Sequence, residues 1–345
     1  MVDLAKFLCA ILILLYHYFS EYGNLTGLLE EALSSYAIAV ALFMTISGFL
    51  TFQKLEEIAS RKEKWEAVKG QVCRILKIYL LWSIVYILYN ISRWDFSDLS
   101  VQFVLSELQH WIFNSTFYTI WFMPALAFGL LVTFLITEFL PKWTAVALAA
   151  VLYIVGALQL TYVSVGNLIP GFAYLLDFSN AWLGGPRGWL FFGFPLIMVG
   201  RYMAKFQLVW PGSGRKSWLV WMRLSVLSVC LMLAEALTLR HFYGSTGIDM
   251  TVMMPVSAFC ILGFLLRCKL PEGKCLIWMR KMSVLIFLTQ RIFLTVIPDL
   301  LPKAVEDSIF ANPFVSFFFV CGGTVLFSAG VLALSKKVKW LRLLY

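Results

Sequence analysis

Charged residues are scarce in this sequence. They make up only 14% of the 345 residues, whereas 61% are hydrophobic. A soluble globular domain carries about 25% charged residues, so this composition excludes that class and indicates a polytopic membrane protein. Histidine is scarcer still, with only His17, His110 and His241. A metal centre built from several histidines is therefore not expected, and we predict no metal site.

The pattern of cysteines and of basic residues excludes further classes. None of the seven cysteines forms a C-x-x-C pair, so neither a disulfide framework nor a zinc site is indicated. The first apolar run lacks a basic n-region and a small-residue cleavage site, so we expect no cleavable signal peptide. The basic residues fall in short clusters between apolar runs, which argues against nucleic acid as a partner.

Long apolar runs predict an all-α protein with about ten transmembrane helices. The predicted spans are 4–20, 35–52, 75–92, 119–138, 143–162, 189–204, 218–241, 251–267, 282–298 and 313–335. No soluble domain or repeat is recognisable, so we predict one integral-membrane domain over residues 1–345. Charges at helical spacing also suggest a short surface helix within 53–72.

The loop charges predict the orientation of these spans. Basic clusters lie in every second connection and at the end of the chain, at 54–77, 201–216, 267–281 and 336–342. The intervening loops are poor in basic residues and hold acidic ones instead. The positive-inside rule then places both termini in the cytoplasm, which requires an even number of spans.

The first span carries an unusual line of ionisable residues. Eleven positions separate Lys6 from His17, which is about three helical turns, so both lie on one face roughly 16 Å apart along the axis. Residues at i+3/i+4 spacing complete the line: Asp3, Lys6, Ala10, Ile13, His17 and Glu21. Ionisable groups aligned in a membrane helix usually face a cavity or a partner. Singly, Lys6 is also explained as an end anchor and His17 as a neutral, interhelical hydrogen-bonding group.

Other polar residues are predicted at a depth similar to that of His17. Glu235 lies in the outer half of the seventh span, Gln290 and Arg291 lie near the middle of the ninth, and Arg187 enters the sixth from outside. A buried Glu235 carboxylate needs a partner, which Arg291 or His17 would provide. The structural alternative is a Glu–Arg pair that ties two helices together.

On the cytoplasmic side, two short patterns stand out. Ser47-Gly48 permits close approach of the helix backbone. Arg74 and Lys77 are three residues apart, so they share a helix face and suit a phosphate group. Their alternative explanation is the positive-inside charge alone.

These motifs, taken in order, resemble the integral-membrane acyltransferase-3 family over nearly the whole chain. The resemblance rests on Lys6-x10-His17, Ser47-Gly-Phe-Leu50, Arg74 before the third span, Trp121-Phe-Met-Pro-Ala-Leu126, and Arg187-Gly-Trp-Leu-Phe-Phe-Gly-Phe-Pro195. Members often carry histidine before the tryptophan of the fourth span and in the ninth span. Here Ile120 and Gln290 differ from that pattern.

The resemblance implies an O-acyltransferase of surface polysaccharides in the plasma (inner) membrane of a bacterium. The donor would be cytoplasmic acyl-CoA, acetyl-CoA in the expected case, and the acceptor a hydroxyl of an envelope or lipid-linked saccharide. His17 would be the general base or acyl relay, oriented by Glu235. We expect Lys6, Arg74, Lys77 and Ser47 to bind the acyl-CoA, and we expect the acceptor to be bound by Glu21, Trp121, Arg187, Gln290 and Arg291.

Two functions of other classes fit parts of the pattern. The polar line could border a solute path in a transporter of a small polar solute such as an amino acid, because membrane parts of racemase-linked proteins resemble this family. Uptake by the reconstituted protein without acyl-CoA would identify that function. The chain could instead be a non-catalytic partner in an envelope-polysaccharide assembly, which acyl-CoA binding or hydrolysis would argue against.

Overall fold

The computed structural model describes most of the chain. The described residues are 1–22, 37–96, 99–117, 119–209, 215–243, 249–268 and 273–345, without the side chains of 208, 209, 215 and 243. Parts of the predicted basic loops 201–216 and 267–281, and the first two residues of the predicted span 35–52, lie outside them.

The described residues form helices and no strand. The α-helices, in chain order, are α1 (Val2–Tyr22), α2 (Ala37–Glu56), α3 (Arg61–Ser92), α4 (Val101–Phe113), α5 (Phe122–Phe139), α6 (Lys142–Leu160), α7 (Val163–Gly166), α8 (Phe172–Trp182), α9 (Phe194–Val209), α10 (Arg215–Tyr243), α11 (Met254–Arg267), α12 (Lys274–Arg291), α13 (Ile297–Leu300), α14 (Lys303–Phe310), α15 (Pro313–Phe317) and α16 (Gly323–Leu334). Three π-helical segments, Trp189–Gly193, Ile292–Val296 and Phe318–Gly322, and a terminal 3₁₀ helix, Lys339–Leu344, complete the set.

Eight of the predicted spans correspond to long apolar helices. Eight helical stretches of the described chain are long and apolar enough to cross a bilayer. The two other predicted spans are helical as well: 189–204 falls in a continuous π- and α-helical run, and 251–267 contains the shorter apolar helix α11. The chain is therefore an all-α, multi-pass integral membrane protein, as predicted. The cytoplasmic location of both termini stays a prediction.

The predicted short surface helix at 53–72 is wrong in its boundaries. A turn at 57–60 ends α2, and α3 then runs without a break from Arg61 to Ser92. The charged segment 61–74 is thus the first part of a long helix whose later part is apolar. No proline interrupts this stretch, so nothing in the sequence stops the helix between its charged and apolar parts.

The chain divides into two compact units. In the first (Met1–Val40 with Lys269–Tyr345), α12 packs against both α1 and α16. In the second (Ala41–Cys268), α5 packs against α3, α9 and the π-helical segment Trp189–Gly193, and α10 packs against α11.

Candidate active site

The polar line of α1 faces α12 within the first unit. Ala10 and Ile13, at the middle of the line, are 0% and 1% exposed. At the start of the helix, Asp3 forms an ion pair of 3.4 Å with Arg280, and at its end Glu21 pairs with Arg291. The N-terminal residue of α1 thus pairs with the more N-terminal arginine of α12, and the C-terminal residue of α1 pairs with the arginine that ends α12. The two helices therefore run parallel. The predicted orientations of the first and ninth spans agree with this packing.

His17, Glu21 and Arg291 form the centre of the candidate site. The Arg291 guanidinium donates one bond to Glu21 Oε1 and another to His17 Nδ1, the latter at 2.9 Å. The Arg291 side chain is 2% exposed and that of Glu21 is 31% exposed. The nearly fully buried guanidinium of Arg291 requires a compensating anion, and the carboxylate of Glu21 provides it.

The bond from Arg291 determines which nitrogen of His17 carries the proton. A guanidinium has donors but no acceptor, so Nδ1 of His17 must be the acceptor in this contact. The neutral imidazole therefore holds its proton on Nε2. In this state the free lone pair of His17 is already used by Arg291.

A proline and a tyrosine support the backbone just beyond Arg291. Pro298 has no N–H, so it cannot donate an α-helical hydrogen bond to the carbonyl of Leu294, four residues earlier. The hydroxyl of Tyr22 donates to that carbonyl at 2.7 Å. The end of α1 is thus joined to the segment after Arg291, which helps to hold Glu21 opposite the guanidinium.

Lys6 and Gln290 are the other predicted site residues of this unit. Lys6 is half-buried and close enough to Asp3 and Arg280 to be influenced by both charges. Gln290 is fully buried, and its amide nitrogen donates to the carbonyl of Phe287 in its own helix at 3.1 Å. Its role toward a substrate stays a prediction.

Glu235 finds its partners inside the second unit. One carboxylate oxygen accepts from the Tyr162 hydroxyl and from the amide of Val252 at 2.6 Å, and the other accepts from the amide of Met253 at 2.9 Å. These amides precede α11, so the carboxylate caps that helix and compensates its N-terminal dipole. The contacts explain how the Glu235 carboxylate is accommodated within the second unit. The expected partnership with Arg291 or His17 and the catalytic assignment of Glu235 stay predictions.

Arg187 and Trp121 also have partners within the second unit. The Arg187 guanidinium forms an ion pair with Asp249, whose side chain is 14% exposed. Trp121 lies edge-on against Phe192, with ring centroids 5.6 Å apart. Both contacts connect segments far apart in the sequence, which gives these residues a packing role beside the predicted substrate contacts.

The motif Ser47-Gly48 serves close helix packing, as predicted. A Cβ atom on Gly48 would lie 2.6 Å from the carbonyl oxygen of Ile197 in α9, and one on Gly200 would meet the backbone of α2. Ser47 itself is half-buried beside this contact. Arg74 and Lys77 lie on the exposed side of α3, where their basic groups are accessible.

The sequence analysis missed the pairing of Asp3 with Arg280. Arg280 was counted among the loop charges, although it lies in α12. In the described ranges no three His, Cys, Asp or Glu side chains are grouped as metal ligands.

The chain is similar to one known family and to individual known proteins. The family model of the acyltransferase domain of the acyltransferase 3 family matches residues 2–333. Two proteins of Enterococcus faecalis, each named amino-acid racemase, are similar to this chain. One is 24% identical over 272 residues, which are 77% of this chain and 35% of that protein. The other is 28% identical over 202 residues, which are 58% of this chain and 28% of that protein. The chain thus spans about a third of the length of these relatives. No solved structure matches it. Because the family model covers nearly all of the chain, the protein belongs to the acyltransferase 3 family of membrane acyltransferases.

Proposed function

We propose that this membrane acyltransferase moves an acyl group, acetyl in the expected case, from cytoplasmic acyl-CoA to a hydroxyl of an envelope or exported saccharide. The observation that carries the proposal is the cluster of His17, Glu21 and Arg291 at one end of a polar helix face that carries Lys6 near its other end. The proposed setting is the plasma membrane of a bacterium, with Lys6 on the cytoplasmic side.

The proposed chemistry is transfer from a thioester to an oxygen. The acceptor hydroxyl attacks the thioester carbonyl, a C–O bond forms, and the C–S bond to coenzyme A breaks. His17 takes the proton of the hydroxyl and returns it to the leaving thiolate, so that no other reactant is consumed. If His17 instead carried the acyl group for a time, a C–N bond to the imidazole would form as the C–S bond breaks, and the acceptor hydroxyl would then form the C–O bond as that C–N bond breaks; the proton of the hydroxyl again ends on the thiolate of coenzyme A.

Either role requires a free lone pair on the imidazole. In the structure that lone pair, on Nδ1, accepts from Arg291. His17 therefore becomes active when this bond breaks, and Glu21 keeps the guanidinium compensated meanwhile because it holds another nitrogen of Arg291. Once His17 has taken a proton, the carboxylate of Glu21 also favours the imidazolium.

Basic groups are proposed to hold the phosphates of the donor. Lys6 lies on the same helix face as His17, about 16 Å away along the axis, a distance comparable to an extended pantetheine arm. Arg74 and Lys77 add two exposed basic groups on one face of α3. Guanidinium and ammonium groups of this kind bind phosphate oxygens through charge-assisted hydrogen bonds.

Replacing His17 tests the proposal directly. We expect His17→Gln and His17→Ala to lower acyl transfer by at least about 100-fold, because a positioned acid/base group contributes about 10²–10⁴ in rate. The protein is reconstituted in lipid nanodiscs, and transfer of radiolabelled acetyl from acetyl-CoA to extracted envelope saccharide is measured.

The matched control is Ser20→Ala, an exposed position of the same helix. It should retain activity, and all variants should show the same yield in the membrane fraction. Full activity of His17→Ala would contradict the role of His17. Solute uptake in the absence of acyl-CoA would point to a transporter instead.

A further inference from the structure

A cavity with aromatic and polar walls lies in the second unit, which does not contain His17. Its volume is about 510 Å³, and it is formed by the end of α3, by α4 and by residues 115–117. That volume falls in the range of small-molecule sites, about 300–1,000 Å³. The predicted orientation places this region outside the cytoplasm.

Aromatic rings form one wall of the cavity. Trp94 and Trp111 are stacked, with centroids 5.8 Å apart and planes at 15°, and Phe103 stands edge-on to Trp94 at 5.4 Å. Both tryptophans are only half-buried, although tryptophan is a strongly apolar side chain. The face of an indole carries partial negative charge, so it attracts polarised C–H groups such as those on one face of a pyranose ring.

Hydrogen-bonding groups border the rings. Glu107 and His110 are three residues apart, on one side of α4. The Glu107 carboxylate is half-buried, and the described residues provide it with no hydrogen bond or ion pair. It is therefore available as an acceptor for a ligand hydroxyl.

His110 supplies a donor next to this acceptor. The amide nitrogen of Asn114 donates both to His110 Nδ1 and to the carbonyl of Asn180, each at 2.9 Å. A carbonyl only accepts, so this atom is the amide nitrogen and His110 Nδ1 is an acceptor. The neutral His110 ring then carries its proton on Nε2, where it can donate to a ligand.

The charges at the cavity favour a neutral ligand. Arg93 lines the cavity together with Glu107, so a positive and a negative group occur there together. A cage for a quaternary ammonium group combines aromatic faces with negative charge, and the guanidinium opposes that use. A polyhydroxylated ring uses the aromatic faces, the acceptor and the donor at once.

We propose that this cavity binds a pyranose ring of a saccharide, with Trp94 and Trp111 as the stacking surface and Glu107 and His110 as hydrogen-bonding groups. The proposed binding of the ring does not depend on the proposed function. Only the identification of that saccharide as the acyl acceptor, held at a docking site separate from His17, rests on the proposed function.

Binding is measured by saturation-transfer difference NMR with methyl glucoside and methyl N-acetylglucosaminide, with choline as the competing probe. The protein is held in nanodiscs, because maltoside detergents carry a saccharide themselves. At least one glycoside should bind, with the strongest transfer to C–H protons of one ring face. Trp111→Ala and Glu107→Gln should each weaken binding by at least about tenfold, the loss expected for a removed stacking or charged hydrogen-bonding partner.

Controls on the same helix separate binding from folding. Ile112→Ala and Ser106→Ala alter exposed neighbours that do not line the cavity, and they should bind normally. His17→Ala should also bind normally while losing acyl transfer. Binding of choline alone, binding of no glycoside, or unchanged affinity in Glu107→Gln would overturn the saccharide site. Glycoside binding without any acyl transfer would leave the site intact and remove the proposed function.

Discussion

At the scale of single residues, Arg291 governs the state of the candidate site. It is the largest fully buried polar side chain of the described residues, and its guanidinium bonds to both a carboxylate and an imidazole. A guanidinium cannot lose its proton under ordinary conditions, so its charge must be compensated by its surroundings. Glu21 therefore has a structural task as well as any part in catalysis.

We expect Glu21→Gln to destabilise the protein by about 3 kcal/mol, because removal of one partner leaves the buried Arg291 charge uncompensated. The double variant Glu21→Gln/Arg291→Gln should recover part of that loss, with a coupling energy of at least about 1 kcal/mol. Thermal unfolding in nanodiscs measures both effects.

An exposed glutamate provides the comparison. Glu57→Gln makes the same chemical change at an exposed position and should alter stability by no more than about 0.5 kcal/mol. Strictly additive effects of Glu21→Gln and Arg291→Gln would show that the two side chains do not depend on each other.

At the scale of helices, small residues set how closely the second unit packs. Gly48 of α2 touches the backbone of Ile197 in α9, and Gly193 touches the carbonyl of Ala125 in α5. Gly48, Gly193 and Ala125 belong to the short motifs that resemble the family. In membrane helices such contacts replace the hydrophobic driving force with close van der Waals packing.

Gly48→Ala should therefore destabilise the protein, because the new methyl group would lie 2.6 Å from a backbone oxygen that cannot rotate away. Forcing extra volume into a packed contact costs about 1–3 kcal/mol. Gly70→Ala is the matched control, since a Cβ there would meet no atom within 4 Å apart from the adjacent backbone of its own helix. It should be neutral or stabilise α3 by up to about 1 kcal/mol, and a loss from Gly70→Ala equal to that from Gly48→Ala would refute the packing argument.

Some features of the helices could be predicted from the sequence, and others could not. The polar line of α1 was predictable because helical periodicity alone puts Lys6 and His17 on one face. The partners of Glu235 were not, because two of them are backbone amides, which every sequence contains. The stacking of Trp94 on Trp111 was not predictable either, because a sequence gives the position of a residue along its helix but not which side chains of other segments it meets.

At the scale of the whole molecule, charge and packing give two independent views of orientation. The basic clusters predict that α1 and α12 both run outward from the cytoplasm. The ion pairs at the two ends of these helices require only that they run parallel. The start of α12 and the N-terminus must therefore lie on the same side of the membrane, whichever side that is.

Thiol labelling tests the predicted orientation and the parallel packing of α1 and α12 separately. Cys73 and Cys275 are exposed and lie in predicted cytoplasmic regions, whereas the exposed Lys303 lies in a predicted outer loop. In variants that keep one cysteine each, a membrane-impermeant maleimide should label Lys303→Cys in intact cells, and Cys73 and Cys275 only in inverted vesicles. Labelling of Cys275 from outside, with an N-terminal tag on the same side, would reverse the predicted orientation but keep the parallel packing. A tag and Cys275 on opposite sides would contradict the pairing of α1 with α12, and with it the cluster that places Arg291 on His17.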